Sequence, residues 1–443
     1  MGKTPLSFHS FHRFDTFMKI PLLLIGGQFF LSALVSAAPS FGEINTALGL
    51  QLFTDDSLWD DAASEVSQRL AWPKESDTED QSSYRYYAKP DALVAGARVY
   101  SEALYARSDK PDSLSLIFTN QGDFGDYFKV AEAIEVATGS DRAALQRKAK
   151  EIQRDFPKQL AADSAKLSAN LTALFGPPAA GRNTMSGDAS EKVEAWVWNG
   201  HSFLLSTLAD GFLALRILAE SAATGNEENT TRDAELKARL ATQLEKRPNG
   251  DVVVGGLPMV DQGPKGFCVP ATLERYFRYL GIPADMYILA LQAQTGMGGG
   301  TGEDGTYKAA NALARAHGRR FEKVANLRLT NLAHYIDEGL PVMWGIQARD
   351  DIEKDITDRM TQRKATPDAK QWKEILKKTP KPKTVRAAPN APNLGHMCLI
   401  IGYNKDTDEV AISDSWGPEF AERWVTKDEF EALSENVAAV VNF

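Results

Sequence analysis

Cysteine is scarce in this chain, which has two cysteines, Cys268 and Cys398, among 443 residues. Two cysteines cannot build a disulfide scaffold, and they cannot supply a zinc site made of four cysteine ligands. Two interpretations remain: a structural pair, or one reactive thiol beside a cysteine without a chemical role. The composition is otherwise ordinary, with 43% hydrophobic and 25% charged residues, which excludes wholesale disorder and collagen-like repeats.

Positive charge is also in short supply. The chain has 50 Lys and Arg residues against 59 Asp and Glu residues, a formal net charge of −9. A negative chain is not attracted to a phosphate backbone, so general nucleic-acid binding is excluded. The balance reverses between Arg359 and Arg386, where ten basic residues accompany two acidic ones.

Long apolar runs are missing except near the start of the sequence. Residues 21–37 are apolar and uncharged, follow Lys19 and end on small residues, which is typical of a secretory signal peptide cleaved after Ala37. The run is short for a membrane span, which needs about 20 apolar residues, although an uncleaved anchor is the alternative. Met18 would serve as a start as well as Met1. We expect a secreted or periplasmic protein without stable membrane insertion after cleavage.

Two folded regions are predicted after this leader. Residues 43–220 indicate an N-terminal α+β accessory domain with an antiparallel sheet. Residues 221–250 are polar and predict a linker with a short helix. Residues 251–443 predict helices followed by an antiparallel sheet, so the expected fold class is α+β throughout. Residues 350–393 are a basic insertion in this last region.

Local patterns fill in the first region. A hairpin is predicted from strands at 94–106 and 113–119, and three short strands follow at 192–198, 201–207 and 212–218, separated by two-residue turns. They indicate a small antiparallel sheet with a helix packed on one face. The longest predicted helix is 141–175, and Pro157 inside it should kink it or break it into two helices.

A helix predicted to begin at Cys268 places that thiol at a helix N-terminus. Pro270 suits the first turn of such a helix, and Gly281 suits its end. The free N–H groups and the macrodipole at this position favour the thiolate over the thiol. The pattern therefore predicts a reactive cysteine rather than a structural one.

A nucleophilic thiolate also needs a base, an acceptor that orients the base, and donors for the oxyanion. His396 begins a predicted strand and Asp414 ends the next one, and adjacent antiparallel strands can set the two side by side. Gln262 lies six residues before Cys268 on a glycine-rich loop. Its amide and the N–H of Cys268 can form an oxyanion hole.

Several short motifs, taken in order, resemble those of papain-like cysteine peptidases. They are Gln262-Gly263-Pro264-Lys265-Gly266-Phe267-Cys268, Gly339-Leu340-Pro341-Val342, Gly395-His396 and Asp414-Ser415-Trp416-Gly417. The sequence is most similar to the double-glycine leader peptidase group and its exported relatives, which continue Cys-x-Pro-Ala as in Cys268-Val269-Pro270-Ala271. The resemblance covers residues of about 255–443.

The resemblance implies a papain-like fold in which the helix that carries the cysteine packs on an antiparallel sheet. It also implies roles for six residues: Cys268 as nucleophile, His396 as general base and acid, Asp414 as its orienting acceptor, Gln262 as oxyanion donor, and Gly266 and Trp416 as supporting residues. Trp416 would shield the Asp–His hydrogen bond from water.

Two features depart from the papain pattern. An aspartate, Asp414, replaces the papain-type asparagine, which favours the leader-peptidase group, and Val269 stands where a tryptophan is common. Leader peptidases of this family are usually cytoplasmic domains of transporters, whereas this chain has a predicted signal peptide and no transporter. Leader processing therefore does not follow from the resemblance.

The expected activity is hydrolysis of a peptide or protein substrate, and no metal or organic cofactor is implied. One alternative is acyl transfer by the same residues, as in transglutaminase-like folds, where an amine replaces water. Another is a catalytically silent module that binds peptides or cell-wall material. The oligomeric state stays open.

Three further interpretations stay open in the last region. Cys398 is expected in the core, but strand alternation would turn it toward the Cys268 helix, so a Cys268–Cys398 disulfide is an alternative. Residues 296–305 are glycine-rich but lack the Gly-Lys-Ser/Thr ending of a phosphate loop, which leaves a loop bordering the substrate groove. Insertion 350–393 is either a solvated helical excursion or a lid or exosite.

Overall fold

Helices and antiparallel sheets occur together, so the predicted α+β class is confirmed. The computed structural model describes residues 38–54, 57–179, 183–186, 189–209, 211–223, 233–382 and 395–443. The predicted leader at 1–37 lies outside the described residues. So do residues 224–232 of the predicted linker and the end of the insertion from residue 383.

An eight-stranded antiparallel sheet occupies the first half of the chain. The strands in this half are β1 (Lys74–Asp77), β2 (Gln81–Tyr87), β3 (Leu93–Val94), β4 (Ala97–Arg98), β5 (Ser101–Arg107), β6 (Lys110–Asn120), β7 (Asn183–Ser186), β8 (Ala189–Trp198), β9 (His201–Leu208) and β10 (Phe212–Ala219). The spatial order is β1-β2-β5-β6-β10-β9-β8-β7, while β3 and β4 form a separate hairpin. The sheet is larger than predicted because β1, β2 and β7 extend it at its two edges.

In the described part of this half, five α-helices accompany the sheet, and the longest contains Pro157. They are α1 (Phe41–Leu48), α2 (Ala63–Leu70), α3 (Tyr127–Val136), α4 (Gly139–Phe175) and α5 (Glu220–Ala223). Of the kink or break predicted at Pro157, the break is wrong, since α4 is a single helix of 37 residues; the kink stays a prediction. A proline inside a helix costs about 3 kcal/mol. Burial of Phe156 and Leu160 on either side of it, at about 1.5–3 kcal/mol each, offsets that cost.

A second antiparallel sheet, also of eight strands, forms the last part of the chain. Its strands are β11 (Leu244–Lys246), β12 (Asp251–Val254), β13 (Arg320–Lys323), β14 (Val342–Gln347), β15 (Gly395–Asn404), β16 (Glu409–Ser413), β17 (Arg423–Thr426) and β18 (Ser434–Asn442). The order is β11-β12-β15-β14-β18-β13, and β16 pairs with both β15 and β17. The pairing of β15 with β16 sets the predicted His396 and Asp414 strands next to each other.

Among the described residues of the second half, eight α-helices accompany this sheet. They are α6 (Asp233–Thr242), α7 (Cys268–Tyr279), α8 (Met286–Gln292), α9 (Glu303–Ala316), α10 (Leu329–Asp337), α11 (Asp350–Ala365), α12 (Ala369–Leu376) and α13 (Lys427–Leu433). Helix α7 begins at Cys268 as predicted, and Gly281, with φ of 78°, lies just past its end. Its Leu273 and Phe277 pack in one core with Leu399 of β15. Nowhere in the described ranges does a helix have the length and apolar character to cross a membrane.

Residues 39–443 form one compact unit. Helix α6, in the predicted linker, buries Leu236 and Leu240 completely in the core beneath the second sheet. Side chains of the first sheet, such as Ile117, share another core with Phe267 and Met286 of the second half. The division into a domain at 43–220, a linker and a domain at 251–443 stays a prediction.

Candidate active site

Cys268 is the first residue of α7, where the sequence predicts the reactive thiol. The N–H groups of a first helical turn have no acceptor within the helix, so they are available to an anion. The preceding Phe267 makes no side-chain cap hydrogen bond to the helix. Pro270 lies in the first turn, where its missing N–H costs nothing. The Cys268 side chain is partly exposed and carries a free thiol.

His396 and Asp414 are brought together by the strands that carry them. His396 is the second residue of β15, and Asp414 directly follows β16. Nε2 of His396 lies 2.9 Å from Oδ1 of Asp414, and both side chains are buried. The Cys268 thiol lies close enough to the imidazole of His396 for each to shift the pKa of the other, and Nδ1 is the ring nitrogen that Asp414 leaves for it. The three predicted residues therefore form the series Cys268–His396–Asp414.

The electrostatics of this series favour a thiolate beside an imidazolium. Burial acts to raise the pKa of the Cys268 thiol, but the hydrogen bond and charge of His396 outweigh it and hold the pKa below its ordinary value. Burial acts to lower the pKa of His396, but hydrogen bonds to Asp414 and Cys268 outweigh it and raise the pKa to about 9. An ionised thiol near neutral pH is what nucleophilic chemistry requires.

Trp416 lies against the imidazole of His396, as its predicted shielding role requires. The two rings stack with centroids 4.3 Å apart and planes 25° from parallel. The indole is itself held edge-on by Phe420, with centroids 5.5 Å apart. Trp416 thus covers one face of the ring that bonds Asp414.

Gln262 is held in place by the residue that follows Asp414. Its backbone N–H donates to the carbonyl of Ser415 at 2.8 Å, and the Ser415 hydroxyl donates to Oε1 of Gln262 at 2.8 Å. This assigns Nε2 as the donor end of the amide, and one of its hydrogens is donated to the carbonyl of Lys265 at 2.8 Å. Gln262 and Cys268 stand at the two ends of the segment 262–268, which we call the active-site loop.

Two glycine-rich segments cross directly before Cys268. The N–H of Gly266 donates to the carbonyl of Gly298 at 2.8 Å, and the N–H of Gly300 donates to the carbonyl of Gly266 at 3.0 Å. A Cβ atom on Gly299 would lie 2.2 Å from the Cα of Gly266, and the φ of Gly299 is 133°. Only glycine tolerates both conditions. The glycine-rich segment predicted as a loop therefore supports the active-site loop at Gly266.

The region that carries these residues matches a known family. Residues 254–439 match the model of the Peptidase_C39 like family. Residues 254–439 are related to the papain-like cysteine peptidases. The resemblance and the papain-like fold predicted for this region are thereby confirmed. No curated protein and no solved structure gives a significant match to the chain.

Cys398 lies in the core of this peptidase-related region, away from Cys268. Both thiols are free, and Cys398 is fully buried with its Sγ 3.7 Å from the carbonyl oxygen of Trp344. The predicted orientation is wrong: Met397 and Leu399 face the core that contains α7, so alternation turns Cys398 to the opposite face of β15. Burial raises the pKa of Cys398 well above its ordinary value, which makes it an unreactive thiol.

Lys265 is a member of the active-site loop that the sequence did not single out. It is fully buried, with Nζ 3.3 Å from the Asp123 carboxylate and 4.6 Å from the centroid of the Tyr87 ring. Tyr87 also donates its hydroxyl to the carbonyl of Asp261 at 2.6 Å. These partners come from the first half of the chain, over 140 residues earlier, so no local spacing could have revealed them.

Two buried arginines contact Asp414 and were also missed. Arg423 of β17 donates two hydrogen bonds to Oδ2 of Asp414, from Nη2 at 2.5 Å and Nε at 3.2 Å. Arg275 of α7 donates to the carbonyl of Asp414 at 2.8 Å. Burial acts to raise the pKa of Asp414, but the charge of Arg423 and the hydrogen bond to His396 hold it below its ordinary value. Asp414 is therefore a charged acceptor.

Metal ligands do not gather anywhere in the described parts of the chain. Within them, no group of three or more His, Cys, Asp or Glu side chains is arranged to hold an ion. His201, for example, is fully buried, with Nε2 accepting the N–H of Leu58 at 3.2 Å and Nδ1 2.8 Å from the carbonyl oxygen of Asn199. Backbone groups engage both of its ring nitrogens.

Proposed function

We propose that this chain is an exported cysteine peptidase whose catalytic residues are Cys268, His396 and Asp414, with Gln262 as an oxyanion donor. The observation that carries the proposal is the position of His396, which is hydrogen-bonded to Asp414 through Nε2 and lies beside the thiol of Cys268. A thiol at a helix N-terminus, beside an imidazole held by a carboxylate, has the parts that acyl chemistry needs. Its location in a peptidase-related region supports a peptide substrate.

In the first half of the reaction, the thiolate of Cys268 attacks the carbonyl carbon of the scissile peptide bond. The negative charge that forms on the carbonyl oxygen is stabilised by the N–H of Cys268 and the amide of Gln262. The imidazolium of His396 then donates its proton to the departing amine. The product of this half is a thioester between Cys268 and the acyl part of the substrate.

In the second half, neutral His396 accepts a proton from water as that water attacks the thioester carbonyl. The C–S bond breaks, the acid leaves, and the thiolate–imidazolium pair is restored. Asp414 keeps Nε2 of His396 engaged, so that Nδ1 stays directed at Cys268 through both halves. Trp416 limits the access of water to the Asp414–His396 hydrogen bond.

Export enters the proposal through residues 21–37, whose pattern is typical of a signal peptide. The direct check is the N-terminal residue of the protein recovered outside the cytoplasm. Cleavage as proposed gives a chain that begins at Ala38. A chain recovered only with its leader attached would contradict export through a cleaved signal.

The experiment that tests the catalytic residues is alkylation of the reduced full chain with iodoacetamide, followed site by site with mass spectrometry. Cys268 should react faster than a free thiol at pH 7, while Cys398 should stay unmodified in the folded protein. His396→Ala should remove the excess reactivity of Cys268, because the thiolate then loses its cation. Equal reactivity of the two cysteines, or an unchanged rate in His396→Ala, would contradict the proposal.

A further inference from the structure

A line of buried charges continues beyond Asp414. While Oδ1 of Asp414 faces His396, Oδ2 accepts the two hydrogen bonds from Arg423. Nη1 of Arg423 in turn donates to Oε2 of Glu353 at 2.5 Å. Glu353, Arg423, Asp414 and His396 thus alternate in charge, and their side chains are 15%, 3%, 0% and 6% exposed in that order. We call these four residues the charge series.

Glu353 comes from the basic insertion, on α11, and this helix is fixed against the second sheet. Arg359 of α11 makes a buried ion pair with Glu429 at 2.6 Å. One helical turn later, Arg363 makes another with Asp251 at 2.8 Å. Because both anchors are buried, α11 holds the carboxylate of Glu353 at a defined place beside Arg423.

Stability alone gives no reason for this arrangement. Replacing buried ion pairs by packed apolar residues is often neutral or stabilising, because burying a charge costs desolvation free energy. Within the described residues, Oε1 of Glu353 is also buried without a hydrogen-bond partner, which carries a further cost. Burying these charges costs free energy, yet they lead to His396, the general base of the proposed triad. This points to a role in the chemistry.

We propose that Arg423 and Glu353 are positioning residues, which hold Asp414 and set the charge balance that keeps His396 an imidazolium. The proposal rests on the proposed peptidase function. Through Glu353, the insertion would contribute to the active site by way of Arg423 and Asp414, without touching Cys268 or His396 directly.

Each member of the pair has its own task. The two N–H groups of Arg423 fix the plane of the Asp414 carboxylate, so that the other oxygen faces Nε2 of His396. The positive charge of Arg423 also acts against the imidazolium, since like charges repel. The negative charge of Glu353 counters this, so that Asp414 can still stabilise the imidazolium.

Other charged or titratable groups face the series from the elements packed around it. They are Cys268 and Arg275 of α7 and Cys398 of β15. None of them is substituted in a Glu353 variant, so such a variant tests the charge of Glu353 alone. Burial raises the pKa of Glu353, although Arg423 opposes this, and in the alkaline range the side chain beside Arg423 is a carboxylate.

Glu353→Gln removes the negative charge and keeps the size of the side chain. The charge of Arg423 is then uncompensated, so the imidazolium of His396 should lose its proton at a lower pH. The rate of Cys268 alkylation reports this, because it changes once as the thiolate–imidazolium pair forms and again as the imidazolium deprotonates. The second of these rate changes, which we call the alkaline change, should move to a lower pH by a few tenths to about one pH unit.

The test is the alkylation rate of Cys268 by iodoacetamide from pH 4 to 10 in the full chain, measured for four proteins. They are the wild type, Glu353→Gln, Glu353→Asp and Asp355→Asn. Asp355 is an exposed residue of the same helix, so its variant removes an equal charge away from the series and should leave the profile unchanged. In Glu353→Asp the negative charge stays but lies one methylene farther from Arg423. The alkaline change should therefore move to a lower pH, but by less than in Glu353→Gln.

An alkaline change that stays in place in Glu353→Gln, or that moves equally in Asp355→Asn, overturns the proposal. If Glu353→Gln does not fold, the Glu353→Asp profile decides in the same way. Failure of the proposed peptidase function can be told apart from failure of the Glu353–Arg423 proposal, because the wild type itself would then show no enhanced Cys268 reactivity. That result would overturn both proposals together.

Discussion

At the scale of single residues, the two cysteines show how position decides reactivity. Cys268 has a helix N-terminus and an imidazole beside it, and its pKa lies below the ordinary value. Cys398 lies in the core on the other face of β15, with no base beside it, and burial raises its pKa. The two thiols are chemically identical, so the difference arises from the partners that the fold supplies.

Asp414→Asn tests the carboxylate as the source of the raised pKa of His396. Asparagine keeps a hydrogen-bond acceptor but loses the charge, so the imidazolium should deprotonate about one to two pH units below the wild-type value of about 9. The thiolate–imidazolium pair forms above the lowered pKa of Cys268 and is lost above the pKa of His396, so its pH range should shrink from the alkaline side.

The measurement for Asp414→Asn is the Cys268 alkylation rate as a function of pH. Asp408→Asn is the matched control, because Asp408 is exposed in the turn between the two strands. An alkaline limit that is the same in Asp414→Asn and in the wild type would show that the carboxylate does not set it.

Local motifs in the sequence indicated several residues of the candidate site. Gln262, Cys268, His396 and Asp414 could be found because each lies at a helix end, a strand end or a fixed spacing in a loop. Arg423 could not, because it meets Asp414 through a strand, β17, that is short and has little apolar alternation. Contacts of this kind depend on which strands pair, and that information is absent from local patterns.

At the scale of elements, the active-site loop depends on its crossing with the glycine-rich segment. Gly299→Ala should displace this crossing, since its Cβ would meet the Cα of Gly266 and its φ is left-handed. We expect Cys268 alkylation to slow about tenfold or more, because small displacements near reacting atoms are costly.

Gly302→Ala is the control for Gly299→Ala, because a Cβ at Gly302 meets nothing within 4 Å. This variant should label at the wild-type rate. Equal rates for Gly299→Ala and Gly302→Ala would show that the crossing does not position Cys268.

Helix α11 gives a prediction about stability. Arg363→Met should leave the buried carboxylates of Asp251 and Glu409 without their shared cation, lowering the free energy of unfolding by about 3–5 kcal/mol. Lys364→Met, at the exposed neighbouring position, should change it by less than about 0.5 kcal/mol. Denaturant unfolding of both variants gives the comparison, and similar midpoints would contradict a structural role for the Arg363 ion pairs.

Element prediction succeeded where sequence carries strong local signals. Helix α7 was found from its apolar face and its Pro270 and Gly281 ends, and β15 and β16 from their apolar runs. Strands β1 and β2 were missed because Lys74–Asp77 and Gln81–Tyr87 are largely polar. The break expected at Pro157 did not occur, because tertiary burial outweighed local propensity.

At the scale of the whole molecule, the first sheet takes part in building the active-site loop. Glu75 accepts the N–H of Asp261 at 2.8 Å, and Tyr87 and Asp123 enclose Lys265. The region predicted as an accessory domain therefore supplies contacts that the loop needs. This explains why residues 39–443 form one compact unit.

A chain of residues 233–443 tests this dependence. Without the first sheet, Lys265 loses its enclosure and the apolar side chains that face Ile117 become exposed, so we expect poor solubility and no enhanced Cys268 reactivity. Circular dichroism and the alkylation rate measure both properties. A soluble fragment that labels like the full chain would show that residues 251–443 are an independent domain.

The most direct test of the account is peptide cleavage by the full chain under reducing conditions, followed by mass spectrometry with a peptide library. Cleaved peptides are expected with the wild type, and none with Cys268→Ala or His396→Ala. Water incorporated into the new carboxyl group identifies hydrolysis, whereas an added amine joined to the acyl fragment identifies transfer. Cleavage that persists in Cys268→Ala, or no turnover by a folded wild type with a reactive Cys268, would contradict the proposal that this chain is a cysteine peptidase.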